Sequence, residues 1–235
     1  MAIDAIVTTY SHLYQCYLGK KRLERAISIY KATVPSASAD IFTTTWHPFY
    51  LDPTLPKTGT DPKIHLGNKY GHDRVAMMHA RIKALGEAEG INFSLEGNIG
   101  NTRDAHRLIQ LAKTKSNEAE NRLIAELFKA HFEDAGDVTS LEFLVAVGES
   151  AGLDKAETRA WLEGGKGGDE VDAEVADAYR KGVSGVPNFT INDSFDVSGA
   201  QDPDVFLAEF IRIKKASSAG GGDGVSQDAS GGLSC

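Results

Sequence analysis

Gly185-Val186-Pro187-Asn188-Phe189-Thr190-Ile191-Asn192-Asp193-Ser194-Phe195-Asp196-Val197 reads as two short strands, residues 187–191 and 195–197, joined by the hairpin turn Asn192-Asp193-Ser194. The Gly-Val-Pro ahead of the first strand suits a cis-proline turn, because X-Pro bonds adopt cis at low cost. It suits equally an ordinary trans proline opening an edge strand. The matching strand-like stretches lie at the opposite end of the chain. Residues 5–9 are apolar and β-branched, and in residues 40–46 Ile41, Thr43 and Thr45 alternate with Phe42, Thr44 and Trp46 before the prolines at 48, 53 and 56. A helical pattern at 13–32 separates those two strands, so the sheet is built from both ends of the chain.

Between the two ends the pattern is helical, with no strand-like run longer than 91–95. Helices are expected near 62–70, 72–88, 102–115, 118–133, 140–151 and 155–163, broken at Gly71, Gly90, Ser116, Gly136 and Gly152. Asp137-Val138-Thr139-Ser140 supplies polar caps ahead of Leu141, Leu144 and Val145. A further helix at 170–182 precedes the hairpin, and Gln201-Asp202-Pro203-Asp204 opens a last one running to about 214. The expected organisation is an α/β domain contributed by 1–60 and 166–215, a helical insertion at 61–165, and a Gly/Ser-rich tail at 216–235 with too little apolar surface to fold.

Composition is that of an ordinary globular chain: 235 residues, 41% hydrophobic and 25% charged. A net charge of −8 and a pI near 5.4 give no basic field for a phosphate backbone, so nucleic acid is not an expected partner. The short basic run Lys20, Lys21, Arg22, Arg25 reads as the solvated face of a helix. No stretch reaches the roughly 18 apolar residues needed to span a bilayer. The N-terminus lacks the charged and apolar regions of a signal peptide, so a cytoplasmic protein without membrane attachment is expected. Cys16 and Cys235 stand at opposite ends, Cys235 on the tail, and no structural disulfide is expected.

Several residues suggest a site. Asn101-Thr102-Arg103-Asp104 reads as a helix N-cap, followed on that helix by His106. Trp46 and Phe49, large aromatics after a strand, suit core or cleft wall, or a stacking surface. Gln201 and Asp202 sit at a helix start, where N–H groups are unpaired.

Four motifs in order, Cys16-Tyr17-Leu18-Gly19-Lys20-Lys21-Arg22-Leu23-Glu24, Trp46-His47-Pro48-Phe49-Tyr50-Leu51-Asp52-Pro53, Asn101-Thr102-Arg103-Asp104-Ala105-His106-Arg107-Leu108-Ile109, and Gly185-Val186-Pro187-Asn188-Phe189 with Ser198-Gly199-Ala200-Gln201, resemble FrnE-type members of the DsbA-like family. That family is related to kappa-class glutathione transferases and hydroxychromene-carboxylate isomerases. The resemblance implies a thioredoxin-like fold with a large α-helical insertion. It also implies a cis Val186-Pro187 bond facing the active-site helix, with His106 lining the cleft between insert and core. Gln201 and Asp202 would sit at the corner that holds part of glutathione in the transferases.

Dithiol members place C-x-x-C where this chain has Leu13-Tyr14-Gln15-Cys16, so the attacking cysteine is replaced by Leu13. In that chemistry the first cysteine is the exposed, low-pKa thiolate and the second resolves the mixed disulfide. Leucine does neither. The transferases and isomerases carry serine there, and Leu13 departs from that pattern as well. Cys16 is better suited to be a small buried hydrophobe than a nucleophile. Around the lost thiol stand Tyr10, Ser11, His12 and Tyr14. Ser11 can cap the helix. His12 at a helix N-terminus suits a neutral base or donor, and Tyr10 or Tyr14 can offer a phenol to a carbonyl.

The leading expectation is therefore a DsbA-family enzyme without dithiol chemistry, an isomerase or other tailoring enzyme acting on a small aromatic or polyketide-like molecule. Its cleft should lie between 10–16, the Pro187 turn and 101–106. Glutathione is the one cosubstrate the resemblance suggests, and a homodimer is common among relatives. The competing readings are a weak monothiol oxidoreductase working through Cys16 and a non-catalytic small-molecule binding protein.

Overall fold

A computed structural model describes residues 1–9 and 13–219. Four strands, β1 (Ala2–Thr9), β2 (Ile41–Pro48), β3 (Asn188–Ile191) and β4 (Phe195–Ser198), form one mixed sheet in the order β2-β1-β3-β4. β1 runs parallel to β2, and β3 is antiparallel to both β1 and β4. In β1 the alternation is direct: Ile3, Ala5 and Val7 are buried while Ala2 and Asp4 are exposed. Ala5 is paired with Thr44 on one side and Ile191 on the other, so strands from the two ends of the chain meet across β1. The β3–β4 turn places Asn192 and Asp193 at φ 49° and 52°, the two left-handed positions of a tight hairpin that Asn and Asp tolerate.

α1 (Tyr14–Thr33) and α9 (Pro203–Ala219) pack on each other against the sheet. Tyr30 of α1, Phe42 of β2 and Phe210 of α9 meet edge to face, with ring centroids 5.0–5.8 Å apart. Phe206 packs on Phe189 at 4.9 Å, and both are fully buried. Burial of one such side chain contributes about 1.5–3 kcal/mol. α9 continues past residue 214 to Ala219, a turn beyond the sequence expectation, which places 216–219 on the helix. Residues 220–235, with Cys235, lie outside the described residues.

The intervening helices are α2 (Pro62–Tyr70), α3 (His72–Ala88), α4 (Arg103–Lys113), α5 (Asn117–Phe132), α6 (Leu141–Ser150), α7 (Lys155–Glu163) and α8 (Gly168–Arg180). Ser116, Ser140 and Asp154 cap α5, α6 and α7 through side-chain oxygens that accept from backbone N–H groups. α5 lies along the outer edge of β2. There Asn117 and Asn121 donate to the Thr44 carbonyl at 2.8 and 2.9 Å, and Trp46 N–H donates to Glu120 at 2.9 Å. Those bonds close an edge that would otherwise offer open backbone groups.

The basic run on α1 is only in part a solvated face, with Arg25 exposed. Lys20 is buried and paired with Glu24. Arg22 bonds Glu89 at 3.0 Å, the Ala200 carbonyl at 2.7 Å and Asp202 at 3.1 Å, tying α1 to the end of α3 and to the start of α9. Helical periodicity showed the charges but not the elements that fold over them.

Candidate active site

β1 ends at Thr9 and α1 begins at Tyr14. Tyr10, Ser11 and His12 lie outside the described residues. The cap position falls on Leu13, which has φ −101° and ψ 114° and makes no side-chain cap. Leucine has no acceptor to offer, and the first turn of α1 holds no acidic residue. Among the described residues, no capping or acidic side chain of Leu13 or the first turn compensates the positive end of the α1 dipole.

Leu13, Tyr14 and Gln15 form one wall of a cavity of about 810 Å³, within the range that encloses drug-sized ligands. The loop after β2 adds Leu51, Asp52 and Leu55, and the α2–α3 hairpin closes the far side through Leu66, Val75, Met78 and Ile82. That hairpin is a consequence of local sequence. Asp61 accepts from Lys63 N–H at 2.7 Å with Pro62 at the first helical position, and Gly71 at φ 87° turns the chain between the two helices.

Tyr14 is held by Phe93 and Phe132, its ring 5.1 and 5.0 Å from theirs. Burial pushes its phenol up to about 12, so it stays protonated near neutral pH. Among the described residues no hydrogen bond engages its hydroxyl, which leaves a donor on the cavity wall. Tyr17, one turn on, is committed elsewhere, donating to Glu133 at 2.7 Å. Cys16 is fully buried in the core cluster, facing away from solvent.

The Val186-Pro187 peptide bond is cis. The turn packs directly on α1, for a Cβ built at Gly19 would lie 3.0 Å from Pro187 Cγ and 2.9 Å from Phe189 Cζ. Val186 and Pro187 thus support α1 from behind and do not line the cavity. The other sequence candidates are also set back from it. Trp46 is buried, its indole N–H donating to Asn121 at 2.8 Å and its ring edge-on to Phe128. Asn101 accepts from Arg103 N–H at 2.9 Å and opens α4. Gln201 donates to the Ser198 carbonyl at 2.8 Å, and Asp202 pairs with Arg22.

His106 does not line the cleft expected between insert and core. It is 2% exposed, and burial holds it down at about 3, hence neutral. It packs near Tyr50 with centroids 6.1 Å apart, and its Nε2 has no partner. The two walls that sequence reasoning missed are the 51–55 loop and the α2–α3 hairpin. Their signal was present in the apolar residues Ile64, Tyr70, Met77 and Met78, which have no partner face in a helical pattern read alone. A second missed cluster surrounds Glu174. Its carboxylate accepts from Gln110 at 2.7 Å, from Lys113 at 2.9 Å and from His47 at 3.0 Å. Burial pushes that carboxyl up, but these partners outweigh it and hold it at about 2.

A mixed sheet in the order β2-β1-β3-β4 with a helical insertion between β2 and β3 defines a thioredoxin-like scaffold. The family model for the DSBA-like thioredoxin domain matches residues 15–210, and the chain belongs to that family. It is similar to a probable DsbA oxidoreductase from Streptomyces coelicolor, at 28% identity and TM-score 0.78, over 96% of this chain and 93% of that one. It also shares its fold with a 2-hydroxychromene-2-carboxylate isomerase, at 16% identity and TM-score 0.68, over 93% and 98% of the two chains. A third likeness is to the cytosolic disulfide reductase DsbM from Pseudomonas aeruginosa with GSH, at 14% identity and TM-score 0.56, over 90% and 99%. No curated protein matches the chain.

Proposed function

We propose that this DsbA-family chain has exchanged disulfide chemistry for a proton-moving reaction, an isomerisation or similar tailoring step, on a small apolar carbonyl compound bound over Leu13. The observation that carries the reading is the cavity of about 810 Å³ opening on Leu13 and Tyr14, the segment that the resemblance sets against the C-x-x-C of dithiol members. An isomerisation takes a proton from one atom and returns it to another, so it needs a donor and an acceptor but no redox partner. Tyr14 supplies a protonated phenol to a substrate oxygen, and the positive N-terminal end of α1 favours the negative charge that develops there. His12 and Ser11 remain the proposed base and auxiliary donor, and glutathione the cosubstrate to include. A monothiol mechanism finds no support in Cys16, which is fully buried.

The test is a screen of aromatic and polyketide-like ketones by thermal shift and NMR, with and without glutathione, against the wild type and a Leu13→Trp variant that fills the cavity. Binding lost in Leu13→Trp, with deuterium uptake from D₂O into a bound ketone that falls about a hundredfold in Tyr14→Phe, is the expected result. Binding that persists in Leu13→Trp, or exchange indifferent to Tyr14, would overturn it.

A further inference from the structure

The chain carries a net charge of −8, yet residues 57–83 run the other way. Lys57, Lys63, Lys69, Arg74, Arg81 and Lys83 face only Asp61 and Asp73 in that stretch, a local excess of four positive charges. Helix geometry brings part of this charge to the cavity. Arg74 and Arg81 stand seven residues apart on α3, two turns along one face and about 10 Å apart along the axis. Both line the cavity, with Val75 and Met78 between them and Ile82 just beyond, and Lys69 and His65 line it from α2.

Among the described residues, most arginines of the chain are committed to a carboxylate, whereas the two on the cavity wall are not. Arg103, Arg107, Arg159, Arg180 and Arg212 are each bound to a carboxylate, as are Arg22 and Arg25. Arg74 and Arg81 have no ion pair among the described residues. Among the described residues the one carboxylate on the cavity wall, Asp52, already accepts from Thr54 N–H at 3.0 Å and lies 3.5 Å from Lys69. Two guanidiniums therefore border an apolar chamber without a counter-ion of their own. Guanidinium is the side chain that recognises carboxylate, sulfonate and phosphate oxygens in planar, two-point fashion.

We infer that the cavity selects small amphipathic anions, an aromatic or alkyl body lying against Leu13, Val75 and Ile82 with its acidic group held by Arg74 and Arg81. The inference rests on the reading that this cavity is the working site. It adds the charge of the ligand and names the α3 face that recognises it. Leu51, Met77, Met78 and Tyr70 on the rim are 48%, 69%, 38% and 48% exposed, a surface able to follow the shape of the apolar body.

Two fluorescent probes that differ by one sulfonate separate the possibilities: 8-anilinonaphthalene-1-sulfonate and the neutral N-phenyl-1-naphthylamine. Titrations use the full chain, the double variant Arg74→Gln/Arg81→Gln and, as a control for general charge, Lys57→Gln/Lys83→Gln. The expected result is that the sulfonate binds the wild type with an affinity that falls with added salt. It should weaken about tenfold in the arginine variant and less than twofold in the lysine variant, while the neutral probe binds all three alike. If both probes weaken together in the arginine variant, those residues act through structure, and the anion inference fails while the cavity stands. If the sulfonate is indifferent to the arginines, or responds equally to the lysine pair, the inference fails too. If neither probe binds the wild type, or Leu13→Trp displaces neither, the working-site reading falls and this inference with it.

Discussion

Gly19 and Pro187, 168 positions apart in sequence, are in such close register that a single added carbon at Gly19 would stand 3.0 Å from the proline ring and 2.9 Å from Phe189. The absence of a side chain at residue 19 lets the first helix lie flat on the turn that precedes β3. Gly19→Val, with two further methyl groups directed at a fully buried phenyl ring, should cost about 2–3 kcal/mol, the scale of overpacking in a closed core. Chemical denaturation should show a lower midpoint with unchanged slope. A variant as stable as the wild type would mean that α1 and the Pro187 turn are not in contact.

If Leu13 stands where dithiol members carry their leading cysteine, redox assays should show the loss. Insulin reduction and glutathione-linked disulfide exchange should proceed no faster in the wild type than in Cys16→Ser. A rate that disappears with that one substitution would restore a monothiol function. Returning Leu13→Cys together with Tyr14→Pro and Gln15→Trp should restore measurable oxidation, since the helix and the proline turn that serve the dithiol are in place.

Asp40 gives the clearest pH dependence. Its buried carboxylate accepts from Lys214 at 2.7 Å, from the amino group of Met1 at 2.9 Å and from Tyr30 at 2.8 Å, and these partners hold it well below the usual carboxylate range. Because the folded value is depressed, the stabilisation is fully present above the unfolded value of about 4 and is lost as the pH falls below it. Asp40→Asn should lower stability at pH 7 by about 3 kcal/mol. It should also flatten the decline that the wild type shows below pH 4. Parallel curves for the two proteins in that range would refute the assignment.

The edge of β2 supplies another test. Asn121 both accepts from the Trp46 indole at 2.8 Å and donates to Thr44 at 2.9 Å. Asn121→Ala should leave the buried indole N–H without a partner, at a cost of about 1–3 kcal/mol, and shift tryptophan emission. Asn121→Asp should retain the first bond and lose the second, falling between the two. Unchanged emission and stability in the alanine variant would show that α5 does not hold this edge.

The order of strands and helices was legible because each carries its own period, and because Gly71, Ser116, Ser140 and Gly152 mark ends by local chemistry. The sites were less so. Trp46 follows a strand in a manner compatible with either cleft or core, and what decides it is Asn121, 75 residues away. His106 looks available on its helix, yet its burial depends on Tyr50 and Phe49 of another segment. Leu13 was legible as a missing thiol, but not as the wall of a chamber, because the opposite wall comes from α2 and α3. Periodicity reports that a helix has an apolar face. It does not report whether that face meets protein or open space.

The pairing of β1 with both β2 and β3 also sets an order of assembly. β1 meets β2 after some forty residues, but its other edge finds Thr190 and Ile191 only when nearly the whole chain has been made. During synthesis, α4 to α7 can pack on neighbours close in sequence, whereas the sheet must wait with one edge of β1 unpaired. Contacts of such long sequence separation are the slow ones in folding. The helical block is thus expected to be solid while the sheet that carries α1 is still open, so the α1 wall of the cavity takes its final seat late.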